Sequence, residues 1–286
     1  MKPAPFEYFA PADIEQALEL LGRGGNVKVL AGGQSLVPAM SFRLATPEAI
    51  VDLNCIRDRD RVAVDGNELV VEMLARHRAL ETSAVPGALG QLLSDTARLV
   101  GHLPIRMRGT FAGSLAHADP AAEWPMLALA LDAAIVARSA AGGRVIAGAD
   151  FFEGPFTTAL REDEIITEVR LPLLPEAGTA VLEQSRTAGD FATVAVVAVL
   201  IVANGTVSDA RVAAAGVEGR PLRCAEAETH LRGSRPGPKV FAQAGRIAAE
   251  GVDPLSDATA SADYRRHLLE VLVGRALNQA RSRLAA

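Results

Sequence analysis

Apolar residues at Ile14, Ala17, Leu18 and Leu21 recur at helical spacing, and the helix they predict starts at Asp13 and is ended by Gly22, Gly24 and Gly25. The run at 27–31 reads as a buried strand that enters a Gly32–Gly33 turn. Beyond the turn Leu36, Met40 and Leu44 share a helical face, and Ser35 is placed to cap that helix. A strand is predicted over 50–53. Val62 and Val64, then Leu69 and Val71, form a hairpin around Asp65-Gly66, where positive φ is tolerated. Residues 80–100 return to helical spacing, with Leu89, Leu92, Leu93, Thr96, Leu99 and Val100 as the buried positions.

Further along, 134–138, 144–147 and 165–171 read as strands, the first two joined at Gly142-Gly143. Pro172, Pro175 and the Glu176-Ala-Gly178 stretch then punctuate the chain, and a domain boundary is expected there. A strand over 192–203 meets Asn204-Gly205, a strong hairpin signal, and returns over 207–217. Helices over 223–231, 238–250 and 262–283 close the chain, the last with a broad apolar face and Arg265, Arg266, Arg275, Arg281 and Arg283 on a solvated one.

Composition narrows what such a chain does. Its 286 residues, 49% hydrophobic and 22% charged, suit a globular protein of two domains, or of one large domain with an appendage. A net charge of −5 argues against a broad nucleic-acid surface, which needs clustered Lys and Arg. Cys55 and Cys224 lie too far apart to hold an iron–sulfur cluster or zinc and are expected as buried small hydrophobes. His77, His102, His117, His230 and His267 show no ligand spacing, so no metal is expected. The first residues carry no apolar signal core, and the longest aliphatic run falls well short of the roughly 20 residues of a membrane span. A cytoplasmic location follows as an expectation.

The densest chemistry lies in GTFAGSLAHADPAAE, residues 109–123, which combines small-residue turns, His117, Asp119 and Glu123. Asp119-Pro120 reads as a helix start, with Asp as cap and Pro in the first turn. LPIRMRG delivers Arg106 and Arg108 to its edge, where at least one is expected to be ordinary solvated surface. The second such stretch is AGGQS at 31–35. Its order of strand, glycine turn and helix lets backbone amides approach an anion such as a diphosphate. Neither G-x-G-x-x-G nor G-x-x-x-x-G-K-[ST] occurs, so a nucleotide would be held on another fold.

Together KVLAGGQSLVPAM at 28–40 and IRMRGTFAGSLAHADPAAE at 105–123 resemble the paired flavin loops of the FAD-binding medium subunits of molybdenum hydroxylases, the xanthine dehydrogenase and carbon monoxide dehydrogenase family. The resemblance continues through FFEGPFTTALREDEIITEVRLP at 151–172 and SRTAGDFATVAVVAV at 185–199, and so spans nearly the whole chain. It implies an α+β fold: a PCMH-like FAD-binding domain over 1–176, with two α+β lobes of about 1–55 and 56–176, followed by a small α+β C-terminal flavoprotein domain, an antiparallel sheet plus helices, over 177–286. Lys28, Val29, Leu30, Ala31, Gly32, Gly33, Gln34 and Ser35 would form the first flavin loop. Thr110, Phe111, Ala112, Gly113 and Ser114 would form the second, its backbone facing the diphosphate. Glu123 falls where the family has an acidic residue that contacts FAD, and Ile166 where an apolar residue contacts it through the backbone. Asp119 is either a FAD contact or a helix cap, and His117 either a flavin neighbour or a buried hydrogen-bonding residue.

Two departures from the family stand out. Ala112 replaces the first glycine of a Gly-Gly pair, which would strain the loop if that position needed positive φ. The lysine that some relatives carry near Glu183 also has no counterpart among Leu182, Glu183 and Gln184. By the resemblance the chain is an oxidoreductase subunit that binds FAD non-covalently. It would take electrons from the iron–sulfur clusters of a small partner subunit, downstream of molybdopterin in a large one, and pass them to NAD, oxygen or another acceptor. The rival readings are a self-contained flavin oxidoreductase of the same fold and a flavin-free interaction subunit.

Overall fold

The computed structural model describes residues 2–82 and 85–284. The first sheet is parallel and three-stranded, in the order β1 (Glu7–Phe9), β3 (Ala49–Asp52), β2 (Val27–Leu30). Between its strands run α1 (Ile14–Gly22), capped by the Asp13 side chain on the Gln16 N–H, and α2 (Leu36–Ser41). Central β3 is buried throughout, whereas β2 lies at the edge and is only half-buried, with Lys28 exposed. The expected buried strand at 27–31 is therefore an edge strand. Ser35 makes no side-chain cap bond, and α2 ends before Leu44, which is exposed.

The middle sheet is antiparallel. It is built from β4 (Val62–Asp65), β5 (Glu68–Glu72), β6 (Ala134–Ser139), β7 (Gly142–Ala147) and, after the small hairpin β8 (Phe152–Gly154) and β9 (Thr157–Thr158), β10 (Ile165–Pro172). The strand order β4-β5-β10-β6-β7 puts β10 at its centre. Helices α3 (His77–Glu81), α4 (Gly87–Leu99), α5 (Leu103–Arg108), α6 (Phe111–His117), α7 (Glu123–Ala130) and α8 (Gly148–Phe151) accompany it. The helix expected over 80–100 is two helices, α3 and α4. Pro86 bars helical geometry at the residue before it, and α4 starts just beyond, with Pro86 as its N-cap.

The third sheet, in the order β11 (Ala177–Gln184), β12 (Val194–Ala203), β13 (Thr206–Ala215), β14 (Leu222–Arg223), is also antiparallel and is followed by α9 (Ala225–Leu231), α10 (Pro238–Glu250) and α11 (Ala262–Ser282). Asn204 and Gly205 both have positive φ at the β12–β13 turn, as an Asn-Gly hairpin requires. Val194, Val196, Ala198 and Leu200 face α10 and α11, while Ala195, Val197 and Val199 join the core of the first two sheets. Burial on both faces explains the unbroken aliphatic run. Strand β11 was not expected, because Gly178 reads as punctuation. Its role is close packing, since a Cβ there would collide with the Ala280 carbonyl.

Arg265 corrects the expected solvated face of the last helix. It is buried and donates to the carbonyls of Thr193 and Gly216 and to Asp257. Cys224 is buried as expected, but Cys55 is exposed. Among the described residues no helix is long and apolar enough to cross a membrane.

Candidate flavin site

The two glycine stretches are brought into direct contact. A Cβ on Gly32 would lie 2.5 Å from the Arg108 carbonyl and 2.6 Å from the Gly109 Cα, so only glycine permits this approach of backbone to backbone. Gly33 adopts φ +72°, which turns the chain from β2 toward α2. Gln34 donates to the Gly32 carbonyl at 3.1 Å. Among the described residues no protein acceptor takes the backbone N–H of Gly32, Gly33, Gln34 or Ser35. Four consecutive amides without an acceptor, at the entry to a helix, are a cradle for anionic oxygens.

A polar network holds this loop in place. Asn54 donates to the Ala31 carbonyl at 2.7 Å and also to Asp52, which accepts from the Tyr8 hydroxyl at 2.6 Å. Arg76 donates to Asn54 at 2.6 Å and to the Arg108 carbonyl, so one guanidinium ties the first stretch to the second. Burial and the nearby Arg108 lower the pKa of Arg76 from its ordinary value. The Asp52 carboxylate pushes the Tyr8 phenol up to about 12, keeping it a donor. Tyr8, Asp52, Asn54 and Arg76 were not singled out in the sequence. Their meeting depends on the Arg76–Thr110 bridge between distant segments, which has no local signature.

The second stretch differs from the expected loop. Residues 111–117 are helix α6, with Thr110 as N-cap accepting from the Gly113 N–H at 3.1 Å. Phe111 donates to the Ala75 carbonyl and Ser114 to the Thr110 carbonyl, so three amides of 110–114 already have acceptors. The Phe111 side chain is fully buried and meets Trp124 edge-on at 5.0 Å. Ala112 is buried inside the helix without positive φ, and the feared strain is absent. Ala118, at φ +51°, ends the helix.

Asp119 does not start a helix. Its carboxylate accepts from the Ala121 N–H at 2.9 Å in a turn, and α7 begins at Glu123 with Ala122 at the cap position. His77, just after Arg76, is buried beneath this region and accepts from the Trp124 indole at 3.0 Å. Burial and the cations Arg76 and Arg106 push its imidazole down to about 4, so it stays neutral. Its ring occupies the space that a Cβ on Gly109 would need. Arg106 pairs with Glu81 and the Gly101 carbonyl, whereas Arg108 is exposed.

Glu123 is 4% exposed, and burial, with Glu183 and Asp119 nearby, pushes its carboxyl up to about 8. His117 is half-buried with its ring 5.1 Å from that of Phe156, and burial lowers its pKa. Ile166 is buried on β10 opposite Ala137, immediately before a bulge at Thr167. Val29 and Leu30 are half-buried on β2. The structure thus joins Gly32 to Arg108 and Gly109, and the charged groups that act on Glu123 are Asp119 and, unexpectedly, Glu183.

Known proteins with the same architecture identify the class. The model for the FAD binding domain in molybdopterin dehydrogenase matches residues 4–174, and that for the CO dehydrogenase flavoprotein C-terminal domain matches 179–280. The chain belongs to the family of FAD-binding medium subunits of molybdenum hydroxylases. It is 36% identical to the nicotine 6-hydroxylase medium subunit of Paenarthrobacter nicotinovorans, with 99% of this chain and all of that one covered. Among solved structures it is similar to carbon monoxide dehydrogenase from Hydrogenophaga pseudoflava, with a TM-score of 0.96, 34% identity and 100% of each chain covered. Quinoline 2-oxidoreductase from Pseudomonas putida 86 matches at 0.93 and 31%, again with full coverage of both chains. Those relatives are subunits of oxidoreductase complexes, and this chain is an oxidoreductase flavoprotein subunit with an FAD-binding domain.

Proposed function

We propose that the chain holds FAD non-covalently with its diphosphate on the amides of Gly32, Gly33, Gln34 and Ser35, facing the N-terminal turn of α6 at 110–114. The acceptor-free amide cradle carries this reading, because it matches the oxygens of a diphosphate without requiring positive side chains. The strand residues Lys28–Ala31 deliver the loop, and the Asn54 and Arg76 bonds keep it fixed before the ligand arrives. Glu123 supplies a buried acceptor for hydroxyl groups, and Ile166 an apolar backbone contact. Asp119 keeps its turn and His117 lines the approach. No side chain here needs to act as a general acid or base.

FAD held there would supply the redox chemistry, and in the proposed assembly electrons from iron–sulfur clusters of a small partner subunit, fed by molybdopterin in a large one, would leave to NAD, oxygen or another acceptor. Purification of the native assembly tests this. The expected result is flavin absorbance with FAD released on denaturation, together with iron and molybdenum carried by two co-purifying chains. A colourless chain that takes up no added FAD would overturn the cofactor assignment. A lone flavoprotein that reduces its own organic substrate would overturn the assembly.

A further inference from the structure

The two glycine stretches meet at Gly32 and Gly109, and one buried side chain, His77, packs against that meeting point. A Cβ on Gly109 would lie 2.5 Å from His77 Nε2, so the ring edge that carries this nitrogen lies directly against the Gly109 backbone. The His77 backbone N–H also donates to the Gly109 carbonyl at 3.0 Å. Gly109 in turn lies against Gly32, whose added Cβ would come within 2.6 Å of the Gly109 Cα. The imidazole, Gly109 and the first of the acceptor-free amides therefore form one continuous line of contact.

The ring is fixed by Trp124, the chain's one tryptophan. The indole N–H donates to His77 Nδ1 at 3.0 Å, the two rings lie 5.9 Å apart and 28° from parallel, and Phe111 of α6 meets the indole edge-on. Both His77 and Trp124 are buried. An indole nitrogen only donates, so Nδ1 stays free of a proton and the ring neutral. A second proton would set two buried N–H groups face to face and leave the indole without its acceptor. The surrounding charges oppose that proton as well. Arg76 precedes His77, Arg106 of α5 is bound to Glu81 of α3, which also pairs with Arg78, and on α7 Glu123 precedes Trp124. Burial, then the cations Arg76 and Arg106, pushes the imidazole down to about 4, and among the described residues no carboxylate offsets them.

We propose that His77 is a positioning residue for the amide cradle: its neutral ring, locked by the Trp124 indole, sets the distance between Gly109 and Gly32, and protonating it breaks that contact and loosens FAD. This rests on the FAD reading given above. His77 acts through Gly109 and not by contact with the ligand. Because the FAD-bound form takes the neutral ring, affinity is full above the titration of His77 and falls as pH drops through about 4.

The test is titration of the deflavinated full-length chain with FAD, read by quenching of flavin fluorescence. The wild-type Kd should rise about fourfold from about pH 6 to about pH 3.5. Trp124 emission of the apoprotein reports the same proton, because an imidazolium beside an indole quenches it, and should change with a midpoint near 4. His77→Asn offers the indole an acceptor that takes no proton in this range. It should bind FAD within about threefold of the wild type at neutral pH and lose both the acid rise in Kd and the emission change. His77→Leu fills the space without an acceptor and should raise the neutral-pH Kd about tenfold. Wild-type affinity in His77→Leu, or the full acid rise in His77→Asn, would overturn the proposal. Circular dichroism verifies the fold at each pH, and where acid unfolds the chain the His77→Leu comparison at neutral pH decides alone. His77→Gln carries the same test if His77→Asn does not fold. A wild-type chain that binds no FAD at any pH refutes the underlying cofactor assignment instead.

Discussion

The two glycine-bearing stretches look alike in sequence and are built differently. At 31–35 the backbone is open, the amides of Gly32, Gly33, Gln34 and Ser35 have no acceptor among the described residues, and Gly32 and Gly33 serve close approach and positive φ respectively. At 109–114 the backbone is helical from Phe111 onward, and most of its amides are bound within the protein. There Gly109 makes room for His77, and Gly113 leaves room for the Thr110 hydroxyl, which a Cβ would approach to 2.6 Å. One stretch leaves its backbone donors open, and the other builds the wall that stands against them.

Substitutions should separate these roles. Gly32→Ala has the largest expected effect, because its Cβ meets fixed backbone of the second stretch; FAD affinity should drop by roughly a hundredfold or more in a fluorescence titration, with the C-terminal sheet intact. Retained affinity would show that the juxtaposition does not hold the ligand. Gly113→Val should displace the Thr110 cap and add a β-branched residue to a short helix, costing about 2 kcal/mol in denaturant unfolding and weakening FAD binding as a consequence. If affinity falls with no loss of stability, the second stretch touches ligand more directly than its bonding shows.

The raised carboxyls of Glu123 and Glu183 give the next effect. A carboxyl raised in the folded state holds a proton that the unfolded chain has already lost, so apoprotein stability should fall as pH rises from the ordinary carboxylate range toward about 8. Glu123→Gln should reduce this decline in thermal melts, and an unchanged decline would place its origin elsewhere. The smallest contrast compares the two residues at the helix entries. Thr110→Ala should cost about 1 kcal/mol, whereas Ser35→Ala, which breaks no cap bond, should stay within about 0.5 kcal/mol. Equal losses would mean that Ser35 caps after all.

Much of the scaffold was legible because its signals are local. Asp13 caps the predicted helix, and Asn204-Gly205 makes the predicted hairpin, each needing only its neighbours in the chain. Both glycine stretches were visible as chemistry for the same reason. What stayed hidden depends on partners far away in the chain. Strand β11 is recognisable only beside β12, because Gly178 exists for the approach of α11. Arg76 and Asn54 acquire their roles only once Thr110 lies beside Arg76, and Arg265 looks like surface until the carbonyls of Thr193 and Gly216 close around it. At Asp119 a local rule misled, since the Asp-Pro pair closes a turn four residues before the helix begins.

Helix α7 is buried along its whole length, from Glu123 to Ala130, enclosed by its own domain on one side and by β12 and β13 on the other. Such a helix has no solvent face to fall back on. Neither domain could therefore be excised as an independent fragment without leaving an apolar wall open to water and to aggregation. Heating should accordingly melt the chain in a single calorimetric transition, with the cofactor cradle and the C-terminal sheet lost together.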